Sequence, residues 1–384
     1  MRHNKEYDFI VVGSGLFGST FARLAREAGF KCLVLERRNH TGGNIYCEDI
    51  EGINVHKYGP HIFHTSNEDV WNFVNSHVTF NNFINSPLAM HDGKLYNLPF
   101  NMNTFYQLWG VKTPEEARKI IEAQSMDEIN RLRSMGVDSP SNLEEKALTM
   151  VGTEIYNTLI KEYTEKQWGR KCKDLPSSII SRLPLRFTYD NNYFNDRFQG
   201  IPEGGYNRLT SSLLKGIELK TGTDFLEAPT FWKEKAHMVV FTGQIDEYFN
   251  YRYGRLQYRT VRWETEILDL PNYQGNAVIN YTDSLHPYTR IIEHKHFESF
   301  GEEVYKNPAT VISREFSVEW DNSHNPFYPI NDSYNENLLS KYKELAQTEQ
   351  DTIFGGRLAE YKYYDMDDVI ERAIEIFQRI SSSL

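Results

Sequence analysis

The chain has 384 residues, enough for two or three domains and a sizeable core. Its net charge of −11 argues against nucleic acid or an anionic membrane as the main partner, so phosphate contacts must come from local arginines. Cys32, Cys47 and Cys172 have no metal spacing and too few partners for a disulfide framework, which fits a reducing cytoplasm. No secretory leader is expected before the first strand, and no apolar run approaches the roughly 18 residues of a membrane span, so no membrane insertion is expected.

The first dense signal is at residues 7–18. An apolar strand, Phe9 to Val12, runs into Gly13, Gly15 and Gly18. Phe17, Phe21, Leu24 and Ala25 then recur at helical spacing, and a second strand, Cys32 to Leu35, stops at Glu36. Gly13 permits the turn off the strand, Gly15 lets a pyrophosphate approach the backbone, and Gly18 lets the helix pack closely. The positive helix N-terminus, opened by Leu16 and Phe17, suits a diphosphate. Glu36 stands where a carboxylate accepts bonds from an adenosine ribose. A glycine-rich structural turn would need neither the second strand nor its terminal acid. Glu36, Arg37, the pair Gly42-Gly43 and Asn44 follow as an acid, a base, two glycines and an amide. This resembles the FAD-binding opening of amine-oxidase-like flavoproteins, and FAD is expected rather than NAD.

His61 and His64 lie in a stretch turning at Gly59-Pro60. Their spacing invites a metal, but no other ligand falls nearby, so no metal is assigned and at least one is expected to contact cofactor or substrate. The pattern predicts a helix over 67–78, strands over 83–102 with a turn at His91-Asp92-Gly93, and helices over 103–182. Thr113 caps one helix ahead of Pro114, Ser141 or Asn142 caps the next, ending near Gly152, and Thr153 opens a third running to Trp168. A helix over 206–215 and a strand over 237–241 return to the nucleotide fold. Residues 248–320 alternate as an antiparallel sheet. A strand ending in Gly355 and Gly356 precedes a helix capped by Asp365, with Val369, Ala373, Ile376, Phe377 and Ile380 on its apolar face.

Longer motifs sharpen this reading. "YGPHIFHT" (58–65), "NLPFNMNTF" (97–105), "EYTEKQWG" (162–169), "RLPLRFTYDNNYFNDRFQG" (182–200), "NAVINYTD" (276–283), "PYTRIIEHKHF" (287–297), "FYPI" (327–330) and "FGGRLAEYKYYDMD" (354–367) occur in order. Together they resemble the prokaryotic UDP-galactopyranose mutases over residues 7–380. The resemblance implies an α/β fold. A discontinuous Rossmann-like FAD-binding domain would take 1–82, 200–245 and 340–384. An inserted α-helical bundle would take 103–190 and carry a mobile substrate loop. A twisted antiparallel β-sheet domain would take 83–102, 191–199 and 246–339. It also implies a cytoplasmic homodimeric isomerase, an intramolecular transferase, acting on UDP-galactopyranose and UDP-galactofuranose. Its FAD must be reduced; NAD(P)H is one candidate external reductant, and the sequence does not name the physiological one. N5 of the flavin attacks the anomeric carbon, the sugar opens as an iminium, and the ring recloses contracted. The product serves cell-surface polysaccharide.

The resemblance also assigns residues. Arg182 matches the arginine of the mobile loop, and Arg290 the fixed arginine opposite. Tyr163, Thr164 and Trp168 match the nucleotide contacts. Tyr193, Tyr328 and Tyr363 match tyrosines at the diphosphate and sugar, and Asn85, His64 and Asn280 polar groups near the hexose. Gly356, Arg357, Tyr363, Asp365 and Met366 match the flavin end, where Asp365 also nears substrate. His61 lies where the resemblance puts an influence on selectivity between galactose and its 2-acetamido relative, and a histidine there resembles the plain galactose enzymes. Leu159 and Ile160 replace the phenylalanine pair of some members, and Glu162 replaces a glycine. An amine-oxidase-like oxidoreductase would share the N-terminal logic but leave the paired arginines and "EKQWG" unexplained. A non-catalytic nucleotide-sugar binder would not need the flavin-end motif.

Overall fold

A computed structural model describes residues 5–137, 139–180, 185–321 and 325–382. The chain forms two compact units. One comprises Met1–Phe83, Asp196–Arg259 and Trp320–Leu384, the other Ile84–Asn195 and Thr260–Glu319.

The first unit is built on a five-stranded parallel sheet. Tyr7–Val12 is central, flanked by Cys32–Leu35 and Ala236–Phe241, with Glu218–Lys220 and Thr352–Phe354 outermost. Its central strands read as unbroken apolar runs because both faces are covered. Ile10, Leu33, Val239 and Phe241 pack on one face with Phe225 and Trp232. On the other, Phe9 meets Phe21 edge-on at 5.3 Å, and Phe21 meets Phe377 at 5.6 Å. These rings join the sheet to helices Leu16–Glu27 and Met366–Ser381. Thus the first and last segments of the chain share one core. Gly18 makes this packing possible: a Cβ there would stand 2.0 Å from the Gly13 carbonyl oxygen.

Two small antiparallel pairs sit beside the sheet. Cys47–Ile50 and Ile53–His56 close through Glu51 and Gly52, both at positive φ. Phe63–Thr65 pairs with Phe198–Gly200, setting His64 opposite Gln199. The 16-residue helix Ser333–Thr348, capped by Asp332, was not expected; it buries Leu338 and Tyr342. Its opening turns are polar and its apolar stripe is sparse, so the local pattern does not announce a helix. Residues 249–257, expected as strand, are turns and irregular backbone.

The second unit holds helices Met102–Trp109, Pro114–Ser134 and Leu143–Ile155; the last continues through a π-turn into Lys161–Trp168. Thr113 and Glu116 form a capping box, and Asn142 caps the next helix. Leu143, Ala147, Val151 and Ile155 form its buried stripe. Gly152 has φ +80, and a Cβ there would stand 2.8 Å from Gln124 Cβ. The long strand Tyr258–Leu268 begins in the first unit, pairing with Tyr328–Pro329, and continues into the second. There the sheet runs through Thr310–Glu319, Arg290–Glu293, Val278–Tyr281, Leu88–His91 and Lys94–Asn97. The expected hairpin turn is present, with Asp92 and Gly93 at positive φ. One junction departs from the antiparallel expectation: Val278–Tyr281 runs parallel to Leu88–His91. Parallel neighbours need a long connection, and here it runs through the helical segment, residues 196–259 of the first unit and the strand Tyr258–Leu268.

Candidate functional site

In the first unit a cleft lies at the carboxyl ends of the central strands, where open α/β sheets bind ligands. It encloses about 1160 Å³ free of protein atoms, part of it open to solvent. Gly13, Gly15, Leu16, Phe17, Gly18, Glu36, Arg37, Gly43, Asn44, His61, Gly356, Arg357 and Met366 line it, all expected from the sequence. Tyr363 and Asp365 do not; Tyr364 does. Thr223, Asp224, Thr242 and Gly243 line it too, brought by strand ends far along the chain.

Glu36 is buried and held. Its Oε2 accepts from the Ser14 amide (2.9 Å) and hydroxyl (2.7 Å), and Oε1 from the Arg38 amide (2.9 Å). Oε2 is thereby filled, and Oε1 keeps a lone pair for a ribose hydroxyl. The His61 ring Nδ1–H donates to the Gly59 carbonyl at 2.8 Å, which fixes the ring's tautomer.

Arg38 lines the cleft and was missed by the sequence reading. Its Nη2 donates to Asn44 Oδ1 (3.1 Å) and Asn325 Oδ1 (3.0 Å), and its guanidinium lies 4.7 Å from the Tyr58 ring centroid. Among the described residues Nη1 is buried with no hydrogen-bond partner. Desolvation lowers the pKa of this guanidinium, against Tyr58 and Glu36. A buried charged donor without an acceptor is costly, so the cleft is shaped for a ligand that supplies one. A Cβ on Gly43 would stand 3.0 Å from Gly15 Cα, so these two glycines leave bare backbone in the cleft. Both features fit a diphosphate-bearing dinucleotide. Arg38→Met is expected to weaken FAD binding by about 10–100-fold, the worth of one charge-assisted bond. Fluorescence titration of the apoprotein measures this, and unchanged affinity would remove Arg38 from the site.

Beyond the cleft lining, Arg357 Nη2 donates to the Phe327 carbonyl (3.0 Å) and its guanidinium lies 5.0 Å from the Tyr363 ring. Tyr363 stacks on Tyr328 at 6.0 Å. At the start of the last helix, Asp368 turns back to accept from the Asp365 amide at 3.1 Å. Burial raises the Asp367 pKa, against a bond from Thr65. His64 does not line the cleft; its Nδ1 pairs with Asp196 Oδ2 at 2.8 Å.

The second unit has its own pocket, about 950 Å³ free of protein atoms. Tyr163, Thr164, Gln167, Tyr193, Asn280 and Thr282 give it polar groups, and Leu98, Pro99, Phe100, Leu143, Leu159, Ile160, Ile179 and Ile180 apolar walls. Gln167 follows Tyr163 by one helical turn, a signal that periodicity alone contained. Among the described residues Asn280 Oδ1 is buried without a hydrogen-bond partner, so it can accept from a ligand donor. Trp168 packs on the helical core instead of lining the pocket. Asn85 is buried, and its carbonyl accepts from the Tyr193 amide at 2.8 Å. Desolvation raises the Tyr193 phenol pKa, with Arg290 and Arg186 opposing. Arg290 Nε is 2.9 Å from Glu315 Oε1, which also accepts from Thr289 Oγ1 at 2.7 Å. Glu315, almost fully buried, was also missed. Lys166 Nζ lies within hydrogen-bond distance of the carbonyls of Tyr281 (2.7 Å), Asp283 (2.7 Å), His286 (3.1 Å) and Tyr288 (3.1 Å), its three N–H donors shared among four oxygens, which fastens this helix to the loop between Asn280 and Arg290. Arg182 lies outside the described residues.

Comparison with known proteins decides between the readings. The family model for UDP-galactopyranose mutase matches residues 158–363, more than half of the chain, and one for an NAD(P)-binding Rossmann-like domain matches residues 11–76. The chain belongs to the UDP-galactopyranose mutase family. It is an isomerase. A dTDP-fucopyranose mutase of Escherichia coli is 41% identical over 96% of this chain and 97% of its own. A probable UDP-galactopyranose mutase of Klebsiella pneumoniae is 37% identical over 98% of this chain and 95% of its own. The crystal structure of a reduced UDP-galactopyranose mutase shares the fold, with a TM-score of 0.75 at 14% identity, covering 98% of this chain and 94% of that one. A putrescine oxidase also shares the fold (TM-score 0.59, 10% identity, 98% of this chain and 99% of that one). Among the described residues no helix is long and apolar enough to cross a membrane.

Proposed function

We propose that this isomerase interconverts UDP-galactopyranose and UDP-galactofuranose with reduced FAD. The observation that carries the reading is the family match over 158–363, which spans Tyr163, Asn280 and Arg290 as well as Gly356 and Arg357. Bound and carrying two electrons, FAD supplies a nucleophile for the anomeric carbon, with no net redox change.

The chain's own residues have separable tasks. Gly13, Gly15, Glu36, Arg38 and Gly43 bind the dinucleotide. The N-terminus of helix Met366–Ser381 favours negative charge on the flavin ring. Asp368 spends its carboxylate on the Asp365 amide, and burial favours the neutral form of Asp367, so these acids oppose that field less than their number suggests. Tyr163, Thr164 and Gln167 take the nucleotide, and Asn280 Oδ1 accepts from a ligand hydroxyl. Arg290, braced by Glu315, steadies the leaving diphosphate, and Arg182 joins it by resemblance. From the resemblance we also carry over a cytoplasmic homodimer whose product feeds cell-surface polysaccharide.

The test is direct. Purified protein with FAD is given UDP-galactofuranose with and without dithionite, and UDP-galactopyranose is followed by chromatography. Conversion is expected only after reduction. Equal conversion without it, or none in either case, would overturn the reading.

A second substrate is favoured by a specific observation, the 41% identity to the dTDP-fucopyranose mutase. The aliphatic wall of Leu143, Leu159, Ile160, Ile179 and Ile180 has room in character for a thymine methyl. Burying that methyl is worth about 0.8 kcal/mol, roughly fourfold in affinity. Comparing kcat/KM for the two nucleotide sugars assigns the substrate.

A further inference from the structure

His64 and Asp196 are 132 residues apart and come together because Phe63–Thr65 pairs with Phe198–Gly200. Nδ1 of His64 lies 2.8 Å from Asp196 Oδ2. The other carboxylate oxygen is also engaged: Ser66 Oγ–H donates to Asp196 Oδ1 at 2.8 Å. Ser66 Oγ in turn accepts from the Arg197 amide at 3.3 Å. A main-chain donor thus orients a hydroxyl, the hydroxyl orients a carboxylate, and the carboxylate orients an imidazole. A simple surface ion pair would contribute little and would lack this chain of support.

The surroundings place the imidazole near the flavin end of the first unit. Asp367, on the helix whose Met366 lines the cleft, bonds the Thr65 side chain and interacts with His64. The other charged groups around this strand are paired elsewhere: Arg197 with Glu68 at 3.0 Å, and Glu371 with the Asn67 amide at 3.0 Å.

We propose that Asp196 is a positioning residue: by accepting the Nδ1–H of His64 it fixes the imidazole's tautomer and orientation, so that Nε2 is the nitrogen able to take a proton. This deepens the mutase reading and rests on it for the catalytic consequence. His64 lines neither pocket, so the fixed imidazole acts on the reaction through what it braces: the strand Phe63–Thr65 and Asp367 at the start of the last helix.

Asp196→Asn separates this from a structural role. With Ser66 still donating to the amide oxygen, the amide nitrogen faces Nδ1, and the ring is expected to switch to the Nε2–H tautomer. ¹⁵N NMR of histidine-labelled protein, assigned with a His64→Gln control, reads the tautomer without reference to activity. The wild type is expected to show Nδ1–H and the variant Nε2–H. Turnover is expected to fall roughly 10²–10⁴-fold, with KM and bound FAD little changed. Asp196→Glu restores the carboxylate and is expected to recover part of the rate; Ser66→Ala is expected to give a smaller loss with the tautomer retained. An Nε2–H wild type, or an Asp196→Asn protein with wild-type tautomer and turnover, would overturn the proposal. If the wild type has no mutase activity, the NMR comparison still decides the positioning while the mutase reading alone fails.

Discussion

Arg290→Ala is expected to lower turnover by about two to three orders of magnitude while FAD stays bound. Charge-assisted bonds to a diphosphate are worth roughly 1.5–3 kcal/mol each, and one guanidinium can make two. Strain on the rest of the molecule adds to this. Arg290 Nε is 2.9 Å from the buried Glu315 carboxylate, and removing the cation leaves that carboxylate with Thr289 Oγ1 as its remaining described donor. Breaking a buried pair costs about 3–5 kcal/mol, so the midpoint of thermal unfolding should fall as well. Arg290→Lys distinguishes the two effects. It keeps a charge beside Glu315 but loses the planar two-point grip, so stability should largely recover while turnover remains at least about tenfold down. The cleft's lining residues all belong to the first unit, so the flavin spectrum should persist in both variants. Near-normal turnover in purified Arg290→Ala would remove the residue from the reaction.

Gly18→Ala and Gly13→Ala are expected to yield protein without cofactor. A Cβ on Gly18 meets the Gly13 carbonyl oxygen at 2.0 Å, a backbone atom, and Val11 Cγ1 at 3.1 Å, a short buried side chain, so neither neighbour is a flexible end that can yield. A Cβ on Gly13 meets Thr242 Oγ1 at 2.2 Å, and Gly13 also has φ +100. That hydroxyl is anchored, donating to the Val12 carbonyl at 2.7 Å. Overpacking costs about 1–3 kcal/mol, and here the displaced atoms are those that shape the dinucleotide turn. Gly29→Ala is the control: φ is +90, with nothing within 4 Å of the new Cβ, so it carries conformational strain alone. Flavin absorbance and thermal unfolding of the three variants test this. Full flavin occupancy in Gly18→Ala would contradict the packing argument.

What the sequence could disclose follows how local each feature is. The strand–glycine–helix opening, the Asp92-Gly93 turn, the Thr113 cap and the amphipathic last helix are written in neighbouring residues, and each is present. The parallel junction between Val278–Tyr281 and Leu88–His91 depends on where a distant hairpin docks. Arg38 falls inside a motif, but its role depends on Tyr58 and Asn325. Asp196 and Glu315 act only through partners on adjacent strands, His64 and Arg290. Trp168 shows the converse: its motif is local and specific, yet its side chain packs into the helical core. Pairing across strands creates these relations, and no periodicity encodes them.

The four carbonyls gathered by Lys166 belong to the main chain, so that grip is indifferent to which side chains the bend carries. An outward-facing position such as Leu285, 73% exposed, can therefore be changed without loosening that grip, whereas the buried Asp283, which accepts from the Asp92 amide and pairs with His286, holds the bend through its side chain.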